Sequence, residues 1–150
     1  MIPDLPPMAN KRSILVVDDE VNVAETIKMI LEQEGYRVTT AYSAAAAIDA
    51  LRAENFSAVI TDLNMEKKDV GLEVARAAQD QKQRPLIVVC TGYPSVQNLH
   101  SAFGLHIDYV AIKPCAIRDL LLAIHRLFAA REAVKRKRQV PRLIPRPIAS

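Results

Sequence analysis

The sequence has few cysteines and histidines and no long apolar run, and each shortage argues against a class of protein. Cys90 and Cys115 are too few for a disulfide-stabilised secreted scaffold, and they lack the spacing of a metal-binding motif. The three histidines (His100, His106 and His125) have no metal-like spacing either. No stretch approaches the roughly 20 apolar residues that a membrane-spanning helix needs, so we expect no membrane span.

The chain opens without the apolar segment that is typical of a secretory signal, and we therefore expect a cytoplasmic protein. Half of its 150 residues are hydrophobic, which is more apolar surface than a disordered chain supplies. This length supports one domain with a sizeable core and is hardly enough for two.

Charge and proline divide the chain into three segments. Residues 131–150 hold seven basic residues against one acidic residue, a balance of +6, so residues 1–130 carry −3 of the net charge of +3. Six of the nine prolines lie in the first seven and the last ten residues. We therefore predict a flexible lead over 1–11, a globular domain over 12–130 and a basic, proline-containing tail over 131–150.

Two hydrophobic periodicities alternate within the predicted domain. Five short apolar runs are typical of buried strands, and they cover residues 13–17, 36–41, 57–61, 86–90 and 108–112. Helical periodicity predicts helices that begin near residues 21, 44, 71, 95 and 117. Gly35 is expected to end the first helix, and Ser43 to cap the second. Because crossover helices join parallel strands, the sequence predicts an α/β fold with a doubly wound five-stranded parallel sheet and five helices.

Polar residues stand at the ends of four of the five predicted strands, where an open parallel sheet binds its ligands. In chain order they are Asp18 and Asp19, Asp62, Thr91, and Lys113. Three carboxylates at one edge would repel one another unless a cation lay between them, and oxygen-only ligands suit Mg²⁺. A lysine and a hydroxyl opposite such a metal are groups that hold a second anion, such as a phosphoryl group. Each residue alone could be a helix cap or turn residue, but capping does not require that all of them converge.

These residues, within the segments ILVVDDE, VITDLNM, TGY and Lys113-Pro114, resemble a response-regulator receiver domain over residues 12–130. The resemblance implies a flavodoxin-like sheet with the strand order 2-1-3-4-5. It also implies a role in two-component signalling. Nothing in the tail resembles a winged-helix or helix-turn-helix output domain, so the form expected is the stand-alone, chemotaxis-type single domain, or a receiver cut from a longer chain.

The resemblance also implies a role for each residue at the strand ends. Asp62 would accept the phosphoryl group from a sensor histidine kinase or a histidine phosphotransfer protein, and Lys113 and Thr91 would contact phosphoryl oxygens. Four groups would bind Mg²⁺: the carboxylates of Asp18, Asp19 and Asp62 and the backbone carbonyl of Asn64. The output would be a conformational change on the face of the fourth helix, fifth strand and fifth helix, which would bind an effector protein. Homodimer formation is left open.

The sequence departs from the family pattern at three places. Glu66 replaces a proline after the acceptor and Val70 reads as a one-residue insertion, so the loop there is longer and more charged. The family has a switch aromatic three residues before the lysine, where this chain has Val110, with Tyr109 one residue earlier. Because side chains alternate along a strand, Tyr109 is expected on the opposite face unless a bulge compensates. We therefore predict that Thr91 moves without a swinging aromatic.

The third departure is Tyr93, which follows Thr91 by two residues. In the family, this position and that of Asn64 modulate hydrolysis of the aspartyl phosphate, and a bulky ring would slow it.

Two other functions remain open at this point. One is a degenerate receiver that does not turn over phosphate and acts as a protein-interaction scaffold, which the extra Val70 and the missing aromatic would favour. The other is a nucleic-acid binder that acts through the basic tail. For the receiver itself, nucleic acid is not an expected partner.

Overall fold

Five parallel strands form one sheet in the computed structural model, which describes residues 12–67, 69–92 and 104–139. In chain order they are β1 (Ser13–Val17), β2 (Arg37–Ala41), β3 (Ala58–Asp62), β4 (Leu86–Thr91) and β5 (Tyr109–Ile112). Their order across the sheet is β2-β1-β3-β4-β5, with every neighbouring pair parallel. The predicted fold class and strand order are confirmed.

Four helices connect or follow the strands in the described residues: α1 (Val21–Gln33), α2 (Ala44–Ala53), α3 (Gly71–Gln79) and α4 (Ile117–Gln139). The helix predicted over 95–103 lies outside the described residues, as do the lead over 1–11 and residues 140–150. The last helix continues past residue 130, where composition had suggested a boundary, so the first nine residues of the predicted tail are helical.

The helices cover both faces of the sheet, because the inner strands are apolar on both sides. On one face, which we call the α2–α3 face, Leu15 and Val89 pack with side chains of α2 and α3. On the other, the α1–α4 face, Ile14 and Val88 pack with side chains of α1 and α4. Each face therefore has its own apolar cluster, and polar residues lie at the carboxyl ends of the strands between the two clusters.

Local signals set two of the helix ends as the sequence predicted. Gly35 adopts a left-handed conformation with φ of 94° and its N–H donates to the carbonyl of Glu32 at 3.0 Å, which ends α1. The hydroxyl of Ser43 accepts a hydrogen bond from the N–H of Ala46 at 3.1 Å, which caps α2.

Candidate functional site

Three carboxylates meet at the carboxyl-terminal edge of the sheet. Asp18 directly follows β1, and Asp62 is the last residue of the neighbouring strand β3. One oxygen from each of Asp18, Asp19 and Asp62 lies within 4.8 Å of the others. Asp18 is buried, Asp62 is half-buried and Asp19 is exposed, so the cluster opens toward solvent on one side. The structure thus brings together the three acidic residues that the sequence singled out.

Lys113 supplies the positive charge opposite these carboxylates. Its Nζ atom lies 3.2 Å from Oδ2 of Asp62 and 3.5 Å from Oδ2 of Asp18. It directly follows β5, which β4 separates from β3, so the side chain reaches across two strand spacings of about 4.8 Å each. The bond between Lys113 and Pro114 is cis.

Burial and charge act against each other on this ion pair. Burial raises the pKa of Asp62 above its usual range, while the Lys113 ammonium lowers it in part. For Lys113, burial lowers the pKa, but the two nearby carboxylates outweigh burial and the net pKa is raised. The lysine therefore remains charged at neutral pH and compensates part of the acidic cluster.

Hydrogen bonds hold Asp18 in place from two sides. Its Oδ1 atom accepts from the N–H of Glu20 at 2.9 Å, and its own N–H donates to the carbonyl of Ala41 at 3.1 Å. Since Oδ1 is engaged in this local turn, Oδ2 is the oxygen that faces Lys113. Asp18 therefore needs little rearrangement to act as a ligand at this edge.

The loop after Asp62 is anchored by its own side chains. Oδ1 of Asn64 accepts from the N–H of Asp69 at 2.7 Å, and Asp69 adopts a left-handed conformation with φ of 60°. The turn leads into Val70, which directly precedes α3 and where the sequence suggested an extra residue. The side chain of Asn64 thus stabilises the loop, a role that the sequence did not predict.

Two further residues in this region make contacts that the sequence did not predict. Oε1 of Glu66 accepts from the N–H of Ala44 at 3.1 Å and so caps the first turn of α2 from another loop. Gly71 packs so closely against the end of β3 that a β carbon would overlap the carbonyl oxygen of Asp62. The glycine at the start of α3 was a sequence signal for such a close approach. The hydrogen bond between Glu66 and Ala44 joins residues 22 positions apart, so no local sequence pattern could have predicted it.

Thr91 is the last residue of β4 rather than the first residue beyond it, and it is buried. It follows Cys90, which is the register partner of Asp62, so it belongs to the same edge of the sheet. Tyr93 lies outside the described residues.

The two candidates for the switch position lie on opposite faces. β5 pairs with β4 in continuous register, with Tyr109 opposite Val88 and Val110 opposite Val89, so no bulge shifts the alternation. Val110 packs on the α2–α3 face, and Tyr109 packs on the α1–α4 face. By the alternation along β4, Thr91 belongs to the α2–α3 face. The expected separation of Tyr109 from Thr91 is confirmed.

The described helices include none that is both long enough and apolar enough to cross a membrane.

The family model for the response regulator receiver domain matches residues 14–125. The chain belongs to this family. Receiver domains are switches of two-component signalling rather than metabolic enzymes; they generally bind Mg²⁺ and interact with histidine kinases and effectors.

Curated relatives are longer than this receiver. The transcriptional regulatory protein ResD of Bacillus subtilis is 31% identical over 118 residues, which are 79% of this chain and 48% of ResD. The alginate biosynthesis transcriptional regulatory protein AlgB of Pseudomonas putida is 32% identical, over 82% of this chain and 27% of AlgB. The chain spans less than half the length of both relatives.

Solved receiver structures match nearly over their full lengths. A CheY-like receiver domain protein of Methanospirillum hungatei has a TM-score of 0.74 at 27% identity. The match covers 83% of this chain and 98% of that protein. The response regulator TrrA of Thermotoga maritima, solved in complex with Mg(2+)-BeF, has a TM-score of 0.67 at 31% identity. The match covers 77% of this chain and 98% of TrrA.

Proposed function

We propose that this receiver is a phosphorylatable switch in which Asp62 accepts a phosphoryl group from a histidine kinase or a histidine phosphotransfer protein. The observation that carries the proposal is the placement of Lys113 between Asp18 and Asp62, at 3.5 and 3.2 Å, beside three clustered carboxylates. A structural salt bridge alone would not need the exposed Asp19 beside it. A site that binds a metal ion and a phosphoryl group side by side would use all four groups: the three carboxylates for the metal and Lys113 for the phosphoryl group.

The donor set fits Mg²⁺. The clustered groups are carboxylates, which are hard oxygen ligands, and they lie close enough together to share one ion. Asp18, Asp19 and Asp62 would hold it together with the backbone carbonyl of Asn64. When bound, Mg²⁺ would neutralise the negative charge on the oxygens of the transferring phosphoryl group.

In the transfer step, a carboxylate oxygen of Asp62 attacks phosphorus and forms an O–P bond. The P–N bond to the donor histidine breaks, and its electron pair stays on the imidazole nitrogen. Lys113 already donates a hydrogen bond to the carboxylate of Asp62 and would donate to a phosphoryl oxygen after the transfer. The hydroxyl of Thr91 would donate to another phosphoryl oxygen.

The output follows from the movement of Thr91 and its loop. Because Tyr109 lies on the other face of β5, this movement would take place without a swinging aromatic at that position. The face formed by β5, α4 and the helix predicted over 95–103 would then bind an effector protein. We place this function in the cytoplasm.

The decisive experiment is the intact mass of the full chain after incubation with acetyl phosphate, with Mg²⁺ or with EDTA. We expect one added phosphoryl group that requires Mg²⁺ and is absent in Asp62→Asn. A matched control is Asp49→Asn, which alters an exposed carboxylate on α2 and should label normally. A wild-type chain that binds Mg²⁺ and still takes no phosphoryl group from acetyl phosphate or a histidine kinase would instead support the scaffold function.

A further inference from the structure

A polar cavity of about 280 Å³ lies at the amino-terminal edge of the sheet, opposite the carboxylate site. Arg12 directly precedes β1, and Ser57 directly precedes β3, where its N–H donates to the carbonyl of Ser13 at 2.7 Å. Arg84 stands two residues before β4. Because all strands are parallel, these strand starts share one edge, and Arg131 and Lys135 of α4 close the cavity from the side.

The cavity lining is strongly basic. The lining holds Arg12, Arg84, Arg131 and Lys135 and one carboxylate, that of Glu132, which gives it a formal charge of +3. Asp108, which lies outside the lining, pairs with Arg84 at 3.2 Å, so the group as a whole carries +2. Burial lowers the pKa of Arg131, and the neighbouring Arg84 adds to this effect while Asp108 opposes it. Arg131 nevertheless stays protonated, because a guanidinium is the most basic side-chain group in proteins. The cavity therefore concentrates positive charge in a half-buried position.

The three guanidinium groups are held in place by the fold. Arg12 stacks over the ring of Phe128 at 4.4 Å and pairs with Glu132 at 3.5 Å. Nη1 of Arg131 donates to the carbonyl of Arg84 at 2.9 Å. Nη2 of Arg84 donates to the carbonyl of His106 and pairs with Asp108 at 3.2 Å. Each guanidinium has five N–H donors, so these contacts leave some donors for a ligand. Because the side chains are already held in place, a ligand would not have to order them on binding.

Lys135 adds a cation that, unlike Arg12 and Arg84, is not paired with a carboxylate of the described residues. It stands four residues after Arg131 on α4, so both side chains lie on the same side of the helix. It is exposed, and within the described part of the chain it forms no ion pair. Its charge is thus available to an incoming anion.

We propose that this cavity binds the phosphate groups of a small polyphosphorylated compound. Guanidinium forks match phosphate oxygens in pairs, and the neutral side chains of Asn55, Ser57 and Gln83 offer further hydrogen bonds. The volume is just below the roughly 300–1,000 Å³ of sites for drug-sized ligands, which favours a small ligand. In the exposed end of α4, Val134 is the one large apolar side chain, so this part of the helix lacks the apolar face of a membrane-surface helix.

The test is calorimetric titration of the full chain with inorganic tripolyphosphate, in EDTA and at physiological ionic strength. We expect saturable binding that Lys135→Gln weakens about tenfold, as loss of one charge-assisted hydrogen bond would. The matched control is Lys137→Gln, which removes an exposed charge from the same helix but not from the cavity, and should change the affinity less than about twofold. Asp62→Asn should bind tripolyphosphate normally, which separates this site from the proposed phosphorylation site.

Two results would overturn the proposal. One is the absence of saturable binding. The other is equal weakening by Lys135→Gln and Lys137→Gln, which would mean diffuse attraction to the charge of α4. A 20-base-pair DNA duplex of arbitrary sequence is titrated in parallel. Duplex binding that both variants weaken equally, with no binding of tripolyphosphate, would identify the end of α4 as a general polyanion surface and reject the cavity as a site.

Discussion

Gly71 fixes the backbone beside the proposed phosphoryl acceptor, because its N–H donates to the carbonyl of Leu63 at 2.8 Å. A β carbon there would lie 2.8 Å from Cα of Leu63 and would overlap the carbonyl oxygen of Asp62. We therefore expect Gly71→Ala to lower the free energy of unfolding by about 1–3 kcal/mol, as overpacking does. Labelling of Asp62 by acetyl phosphate should also slow, because the acceptor backbone must shift. Urea unfolding and the rate of labelling measure the two effects.

Gly92→Ala is the matched control for stability, since a β carbon at Gly92 meets nothing within 4 Å. Its free energy of unfolding should stay within about 0.5 kcal/mol of the wild type. If Gly71→Ala were as stable as Gly92→Ala, the close approach to Asp62 would not constrain the acceptor.

Single residues also show how far the site could be predicted. Asp18, Asp62 and Lys113 were predictable because parallel strands bring their carboxyl ends to one edge, whatever the loops do. The hydrogen bonds of Asn64 and Glu66 were not, because they depend on how the loop after β3 closes on itself and on a distant helix. No periodicity records such contacts.

Among the helices, α2 has an amino-terminal end that depends on two different segments. Ser43 accepts from the N–H of Ala46, and Glu66 accepts from that of Ala44. We expect Glu66→Ala to lower the free energy of unfolding by about 1 kcal/mol, as loss of a capping acceptor does. Glu66→Gln keeps an acceptor oxygen and loses only the charge near the helix terminus, so its loss should be smaller. Thermal or urea unfolding decides this, and equal losses in the two variants would contradict a capping role.

The elements themselves were largely predictable, and the end of α4 shows that a change in charge need not end a helix. Alternation of buried apolar runs with helical periodicity located all five strands to within one or two residues. The basic segment begins at residue 131, and the helix continues through it to Gln139. Basic residues do not end a helix; near its carboxyl terminus they are favourable for the helix dipole. The change in charge therefore marks where the surface of α4 becomes basic, not where the helix ends.

Across the whole molecule, the sheet separates an acidic edge from a basic one, and the acidic edge should couple metal binding to stability. Asp18, Asp19 and Asp62 repel one another in the folded chain and are far less constrained in the unfolded chain. An ion that binds only the folded state stabilises it by about 2.7 kcal/mol at about 100 times its dissociation constant. We therefore expect the free energy of unfolding in urea to rise with Mg²⁺ concentration relative to EDTA, at constant ionic strength.

Asp19→Asn tests whether this gain comes from the acidic edge. Asp19 is exposed, so the variant should fold normally. It should lose most of the stabilisation by Mg²⁺, because one of the three clustered carboxylates is removed. Asp49→Asn, at an exposed carboxylate of α2, should retain the full gain. If Mg²⁺ stabilised Asp19→Asn as much as the wild type, the ion would be acting through general screening, and the acidic edge would not be its site.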